Sequence, residues 1–221
     1  MSNATETVAW QPLSRREMAR RIADDIQSGW YVNLGIGIPT LVADCLDQSR
    51  EVVIHSENGI LGMGPAPASE SVDPWLVNAG KQYVSLYDGG SFFRHSDSFA
   101  MIRGGHLDLC VLGAYEVADN GDLANWATTA EDDIPAVGGA MDLAVGAKRV
   151  WVIMEHTTRD GGARLVSKCS YPLTAPRCVS RIYTNLATID VEPEGFVVRS
   201  MIEGLAFEEL QKRTAAPLIA A

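Results

Sequence analysis

Two nearly unbroken apolar runs constrain this chain more than any other feature: LDLCVLGA at 107–114 and RVWVIME at 149–155. A strand with one wet face alternates apolar and polar residues, whereas these runs do not, so each predicts a strand buried on both faces of a covered sheet. WYVNLG at 30–35 and the β-branched EVVIH at 51–55 read as two more strands. Between them lie a turn at Gly35–Gly37 and TLVADCL, which predicts a helix with Pro39 at its first position. Strand, turn, helix, strand is the order a parallel sheet requires. The expected class is therefore α/β, a single domain with a mostly parallel central sheet flanked by helices.

Other segments fit that frame. Ser14 and Glu17 form an S-x-x-E capping box ahead of REMARRIADDIQ, where Met18, Ile22 and Ile26 recur four apart. An amphipathic helix ending near Gly29 is expected. GAMDLAVGAKR predicts a short helix entered through Gly138 and Gly139, and AFEELQKR a final one. RIYTNLATIDVEPEGFVVRSMI reads as strands with a turn at Glu194–Gly195. The stretch from Gly59 to Gly80, rich in Gly, Pro, Ala and Ser, reads as a long surface loop, and such loops are usually functional or mobile. No repeat, linker or low-complexity segment divides the chain. One domain over 13–218, preceded by a tail at 1–12, is expected.

Acidic residues exceed basic ones by 28 to 18, giving a net charge of −10. That balance argues against nonspecific nucleic-acid binding and against long-range capture of an anion. Any anion site must be local, built from backbone N–H groups or a few arginines. No apolar run approaches the ~18 residues that span a bilayer, and the N-terminal stretch does not resemble a signal peptide. A cytoplasmic location without membrane contact is the expectation. The four cysteines (45, 110, 169 and 178) show no CxxC pair or zinc-like spacing, so reduced, packed thiols are expected. The histidines at 55, 95, 106 and 156 form no metal pattern, and no metal is expected.

Chemistry concentrates in a few places. Glu57, in His55-Ser56-Glu57-Asn58-Gly59, stands where the second strand should end, and open α/β sheets bind ligands at the carboxyl ends of strands. Its plain alternative is a solvated loop carboxylate. Asn58, beside it, is a candidate substrate contact. Gly35-x-Gly37-x-x-Thr40 imitates a dinucleotide fingerprint with Glu57 as the later acid, but Thr40 replaces the third glycine. A tight turn feeding a helix is preferred there. Gly138, Gly139 and Ala140 lead into a helix and could offer N–H groups to a phosphate or an oxyanion. Arg103, beside two glycines, could grip a substrate carboxylate bidentately or sit in a surface ion pair. Arg94 is a weaker candidate.

The motifs SENGILGMGP, SFAMIRGGHLDLCVLGAYEV, GDLANW, VGGAMDLAVGAKRV, MEHTT and YPLT together resemble the B-subunit signatures of class I (3-oxoacid) CoA-transferases. The resemblance runs from about Leu13 to Leu218 with the motifs in order. GGSFFRHSDSFAMIRGGHLD, IPAVGGAMDLA and CVSRIYTNLA resemble the 3-oxoadipate branch of that family.

The resemblance implies a three-layer fold and transfer of CoA from succinyl-CoA to 3-oxoadipate. The S-E-N-G glutamate, Glu57, would carry CoA as a glutamyl thioester, and Gly138 to Ala140 would belong to the oxyanion and CoA pocket. It implies an A-type partner chain, in an A2B2 heterotetramer. No tightly bound cofactor is implied, the CoA thioester being substrate. Acetoacetate or another short 3-oxoacid is the alternative acceptor. A noncatalytic ligand-binding subunit on the same scaffold is the alternative of a different class.

Overall fold

Ser14 opens the first helix as its spacing to Glu17 predicts. Its Oγ accepts from the Glu17 N–H at 3.3 Å, and the Glu17 carboxylate accepts from the Ser14 N–H at 2.7 Å. The computed structural model describes residues 10–128 and 137–221, so most of the expected tail lies outside the described residues. In chain order the elements are α1 (Arg15–Asp25), β1 (Tyr31–Leu34), a 3-10 helix (Ile38–Cys45), β2 (Val53–Ser56), β3 (Ile60–Met63) and β4 (Leu86–Phe92). Then come α2 (His95–Arg103), β5 (Leu109–Leu112), β6 (Glu116–Ala118), β7 (Leu123–Ala124), α3 (Ala140–Gly146), β8 (Val150–Met154) and β9 (Leu165–Val166). The chain closes with β10 (Val179–Thr184), β11 (Ala187–Glu192), β12 (Gly195–Met201), α4 (Phe207–Lys212) and β13 (Leu218–Ala220).

The main sheet has the order β13-β12-β11-β10-β8-β5-β1-β2-β3-β4. Its central run from β10 to β2 is parallel, as the apolar runs predict. Side chains of the central strands alternate between two cores. Leu109, Val111, Trp151 and Ile153 join α1 and the 3-10 helix on one face, while Cys110, Leu112, Val150 and Val152 join α2, α3 and α4 on the other. Helices on both faces make the three layers. A small sheet, β7-β6-β9, extends the second core beyond the end of β5.

Four expectations need correction. First, α1 stops at Asp25 rather than near Gly29, because the Arg50 guanidinium takes the carbonyls of Ala23, Asp24 and Ile26 at 3.0, 3.1 and 2.8 Å. Second, the helix after Pro39 is 3-10, and its buried residues Pro39, Val42 and Cys45 recur every three, the period of that helix. Third, the segment from Gly59 is not all loop: Asn58-Gly59 turns β2 into β3 with Ser56 opposite Ile60, and β4 adds on antiparallel. Fourth, the β11–β12 turn lies at Pro193–Glu194, since Glu192 already pairs with Gly195. All four cysteines are free, Cys45 and Cys110 buried and the other two half-buried.

Candidate active site

Four neighbouring parallel strands, β2, β1, β5 and β8, end at one edge of the sheet. The residues just past their carboxyl ends, Glu57, Gly35, Gly113 and Glu155, all line one cavity of about 590 Å³. This is where an open α/β sheet places its ligands. Glu57 is the first residue of a three-residue hairpin loop in which the Gly59 N–H returns to the Ser56 carbonyl at 3.0 Å. Gly59 has φ +108, and a β-carbon there would collide with the Phe93 carbonyl. Only glycine lets the turn close against the start of α2.

A buried polar network lies beneath this turn. The His55 ring, two residues before Glu57, is 1% exposed and accepts at Nδ1 from the Asn33 amide at 3.0 Å. That leaves Nε2 to donate to Ser98 Oγ on α2 at 2.8 Å. Burial depresses the ring's pKa to about 4, so it is neutral and links β1, β2 and α2. Asn58 turns its amide away to the Val77 carbonyl at 2.7 Å, and Ser56 Oγ accepts from the Ala79 N–H at 3.2 Å. Both pin the segment that brings Ala79 to the cavity wall.

The Glu57 side chain is half-buried and has no hydrogen-bond partner among the described residues. Desolvation raises its pKa, Asp142 raises it further, and the charge of His95 opposes both. Across from it, Gly138, Gly139 and Ala140 all line the cavity. Gly138 has φ +54 with nothing near its missing side chain. Gly139 sits so close that a β-carbon would overlap Glu57 Oε2 and come within 3.0 Å of Phe99 Cζ. The three differ as donors. The Ala140 N–H turns back to the Val137 carbonyl at 3.2 Å, while those of Gly138 and Gly139 have no partner among the described residues.

Arg103 takes the ion pair that was one of its two expected placements. Its Nε and one terminal nitrogen meet both oxygens of Asp142 at 2.7 and 3.2 Å, tying α2 to α3, and it is outside the cavity lining. The bidentate geometry expected of it is thus spent within the chain. Arg94 is the residue before α2 and exposed, also away from the cavity. The Gly35–Gly37 turn leads into the 3-10 helix, with Thr40 Oγ1 donating to the Gly37 carbonyl at 2.7 Å. Sequence reasoning passed over His95, whose charge acts on Glu57, and Arg164, which lines the cavity. His156, buried between Thr184 and Thr214 at 3.0 and 2.9 Å, is a structural link. Among the described residues no cluster could hold a metal, and no helix is long and apolar enough to cross a membrane.

Comparison with known proteins gives this geometry its class. The coenzyme A transferase family matches residues 15–212, and the chain belongs to that family. It is 60% identical over 207 residues to the 3-oxoadipate CoA-transferase B subunit of Pseudomonas putida, covering 94% of this chain and 97% of that one. It is 57% identical over 212 residues to the protein of the same name from Acinetobacter baylyi, covering 96% and 98%. An acyl-CoA transferase from Escherichia coli O157:H7 shares the fold, with a TM-score of 0.71 at 17% identity, over 97% of this chain and 43% of that one.

Proposed function

We propose that this chain is the B-type half of a transferase that moves CoA from succinyl-CoA to 3-oxoadipate, with Glu57 carrying CoA between the two acids. The observation that supports it most is the Glu57 carboxylate itself: partly desolvated, facing a cavity edged by the Gly138 and Gly139 N–H groups, and, like them, without a hydrogen-bond partner among the described residues. The names of its full-length relatives supply the acceptor and point to an A-type chain as partner.

The chemistry needs a nucleophile that keeps the thioester's energy. A carboxylate is ionised at neutral pH without a general base, and its CoA adduct is again a thioester. Glu57 attacks the carbonyl of succinyl-CoA, forming a mixed anhydride and expelling CoA thiolate. The thiolate attacks the glutamyl carbonyl of that anhydride, leaving glutamyl-CoA and releasing succinate. The carboxylate of 3-oxoadipate then attacks glutamyl-CoA, giving a second anhydride and thiolate. Attack of the thiolate on the oxoadipyl carbonyl yields 3-oxoadipyl-CoA and restores Glu57. Each tetrahedral intermediate carries an oxyanion beside Glu57, within reach of the Gly138–Gly139 turn. One such donor typically contributes ~10²–10³ in rate. Partial burial of Glu57 also weakens its competing solvation.

The test is exchange kinetics of the chain assembled with its A-type partner. Succinyl-CoA and 3-oxoadipate should show ping-pong exchange, with 3-oxoadipate preferred over acetoacetate. Preference for acetoacetate would move the reading to the short 3-oxoacid enzymes, and ligand binding without exchange would overturn it.

A further inference from the structure

Arg164 stands out among the described charged groups at the cavity. It lines the same space as Glu57, and its Nε is buried with no hydrogen-bond partner among the described residues. Leaving a buried donor unsatisfied costs about 1–3 kcal/mol, more when it is charged. The cavity's other cations differ. Arg15 faces Glu155 at 3.7 Å, and Arg159 is exposed on the hairpin that Thr157 and Ala163 close. Asn125, on the same wall, is occupied: its amide donates to the Gly113 carbonyl at 3.0 Å and accepts from Thr174 Oγ1 at 2.5 Å. An anion arriving at that wall would find the Arg164 guanidinium as its donor.

The backbone that carries this side chain is fixed. The Arg164 carbonyl accepts from the Val117 N–H at 3.0 Å, and the next residue, Leu165, is fully buried and paired with Val117 in the small sheet. The cation is therefore mounted on a packed strand beyond β5 and opens to the space that Glu57 faces. A planar guanidinium matches a carboxylate through two parallel N–H donors.

Resting on the transferase reading above, we propose that Arg164 binds the far carboxylate of a short dicarboxylic acyl group whose near carboxyl reacts at Glu57. Succinyl and 3-oxoadipyl groups both carry such a second carboxylate a few bonds from the reacting carbonyl. The phosphates of CoA lie at the other end of the pantetheine arm. With a chain this acidic, a single placed arginine is how a dicarboxylate is told from a monocarboxylate.

The experiment compares two exchange pairs in the assembled two-chain complex: succinyl-CoA with 3-oxoadipate, and acetoacetyl-CoA with acetoacetate. For Arg164→Met, the ratio of kcat/KM between the dicarboxylate and monocarboxylate pairs should fall roughly 10–100-fold, mostly through KM. Arg164→Lys, which keeps the charge but not the fork, should lie between that variant and the parent. Equal losses on both pairs would place Arg164 on CoA or in the fold and overturn the proposal, as would an unchanged ratio. A parent complex that exchanges neither pair would overturn the transferase reading with it.

Discussion

Gly139 leaves the Glu57 carboxylate no room for a side chain beside it: a β-carbon at Gly139 would lie 3.0 Å from Glu57 Cδ and overlap Oε2. Glycine is needed here for close approach, whereas at Gly138 it is needed for its φ of +54. Gly139→Ala should therefore displace the carboxylate and cost about 10²-fold in kcat, with little change in folding. Gly138→Ala should instead cost about 1–2 kcal/mol of stability, with a smaller loss of kcat than Gly139→Ala. Steady-state kinetics and thermal unfolding of the two variants separate these effects. The reverse ranking would mean that the contact is incidental.

The pH profile should carry the mark of Glu57. Burial holds its pKa above the ordinary carboxylate value, so the proposed nucleophile would be lost to protonation at a higher pH than a solvated glutamate. Asp142→Asn removes a cause that raises the pKa, and should move the acid limb of kcat/KM to lower pH. His95→Gln removes the opposing positive charge and should move it to higher pH. Shifts in the same direction for both variants would contradict the assignment of the limb to Glu57.

His55 and His156 make stability depend on acid. Burial lowers each ring's pKa from 6.5 to about 4, with the Arg213 charge adding to the effect at His156. The unfolded chain takes up these protons below 6.5 and the folded chain only near 4, so their contribution is complete above 6.5 and lost as the pH falls toward 4. Each ring accounts for roughly 3 kcal/mol at the acid end. Tm should drop across this window, and His156→Gln should flatten the drop. An equally steep fall in that variant would exclude the ring as its source.

Arg103 should behave as a surface ion pair. Its side chain is 65% exposed while it holds Asp142, and solvent screens such a pair so that it contributes little. Arg103→Met should leave KM for the acid within about twofold and the unfolding midpoint close to that of the parent. A tenfold rise in KM would return Arg103 to substrate binding.

The legible parts of the fold were those whose signals are local. The Ser14–Glu17 box, the apolar runs that became β5 and β8, and the glycines ahead of α3 each carry their reason within a few residues. The 3-10 helix was legible in kind but not in type, because the spacing of Pro39, Val42 and Cys45 decides it and Pro39 suits either helix start. Helix α2 escaped because Arg94, the residue before it, makes no side-chain cap, leaving only buried Ser98 and Ile102, four apart, as a sign. At the site, Glu57 could be placed from the strand end and its turn. Arg164 could not, because its meaning comes from a strand pairing with β6 and a cavity assembled from distant segments. Arg103 was legible as an ion pair or a substrate grip, but its partner Asp142, thirty-nine residues away, was not.

The central claim is tested most directly by locating CoA on the protein. The assembled two-chain complex is mixed with succinyl-CoA without an acceptor, reduced with borohydride, and mapped by peptide mass spectrometry. The account predicts that a single glutamate, Glu57, is converted to the alcohol, with succinate released in equal amount. Reduction at any other residue, or succinate release with Glu57 unmodified, would contradict it.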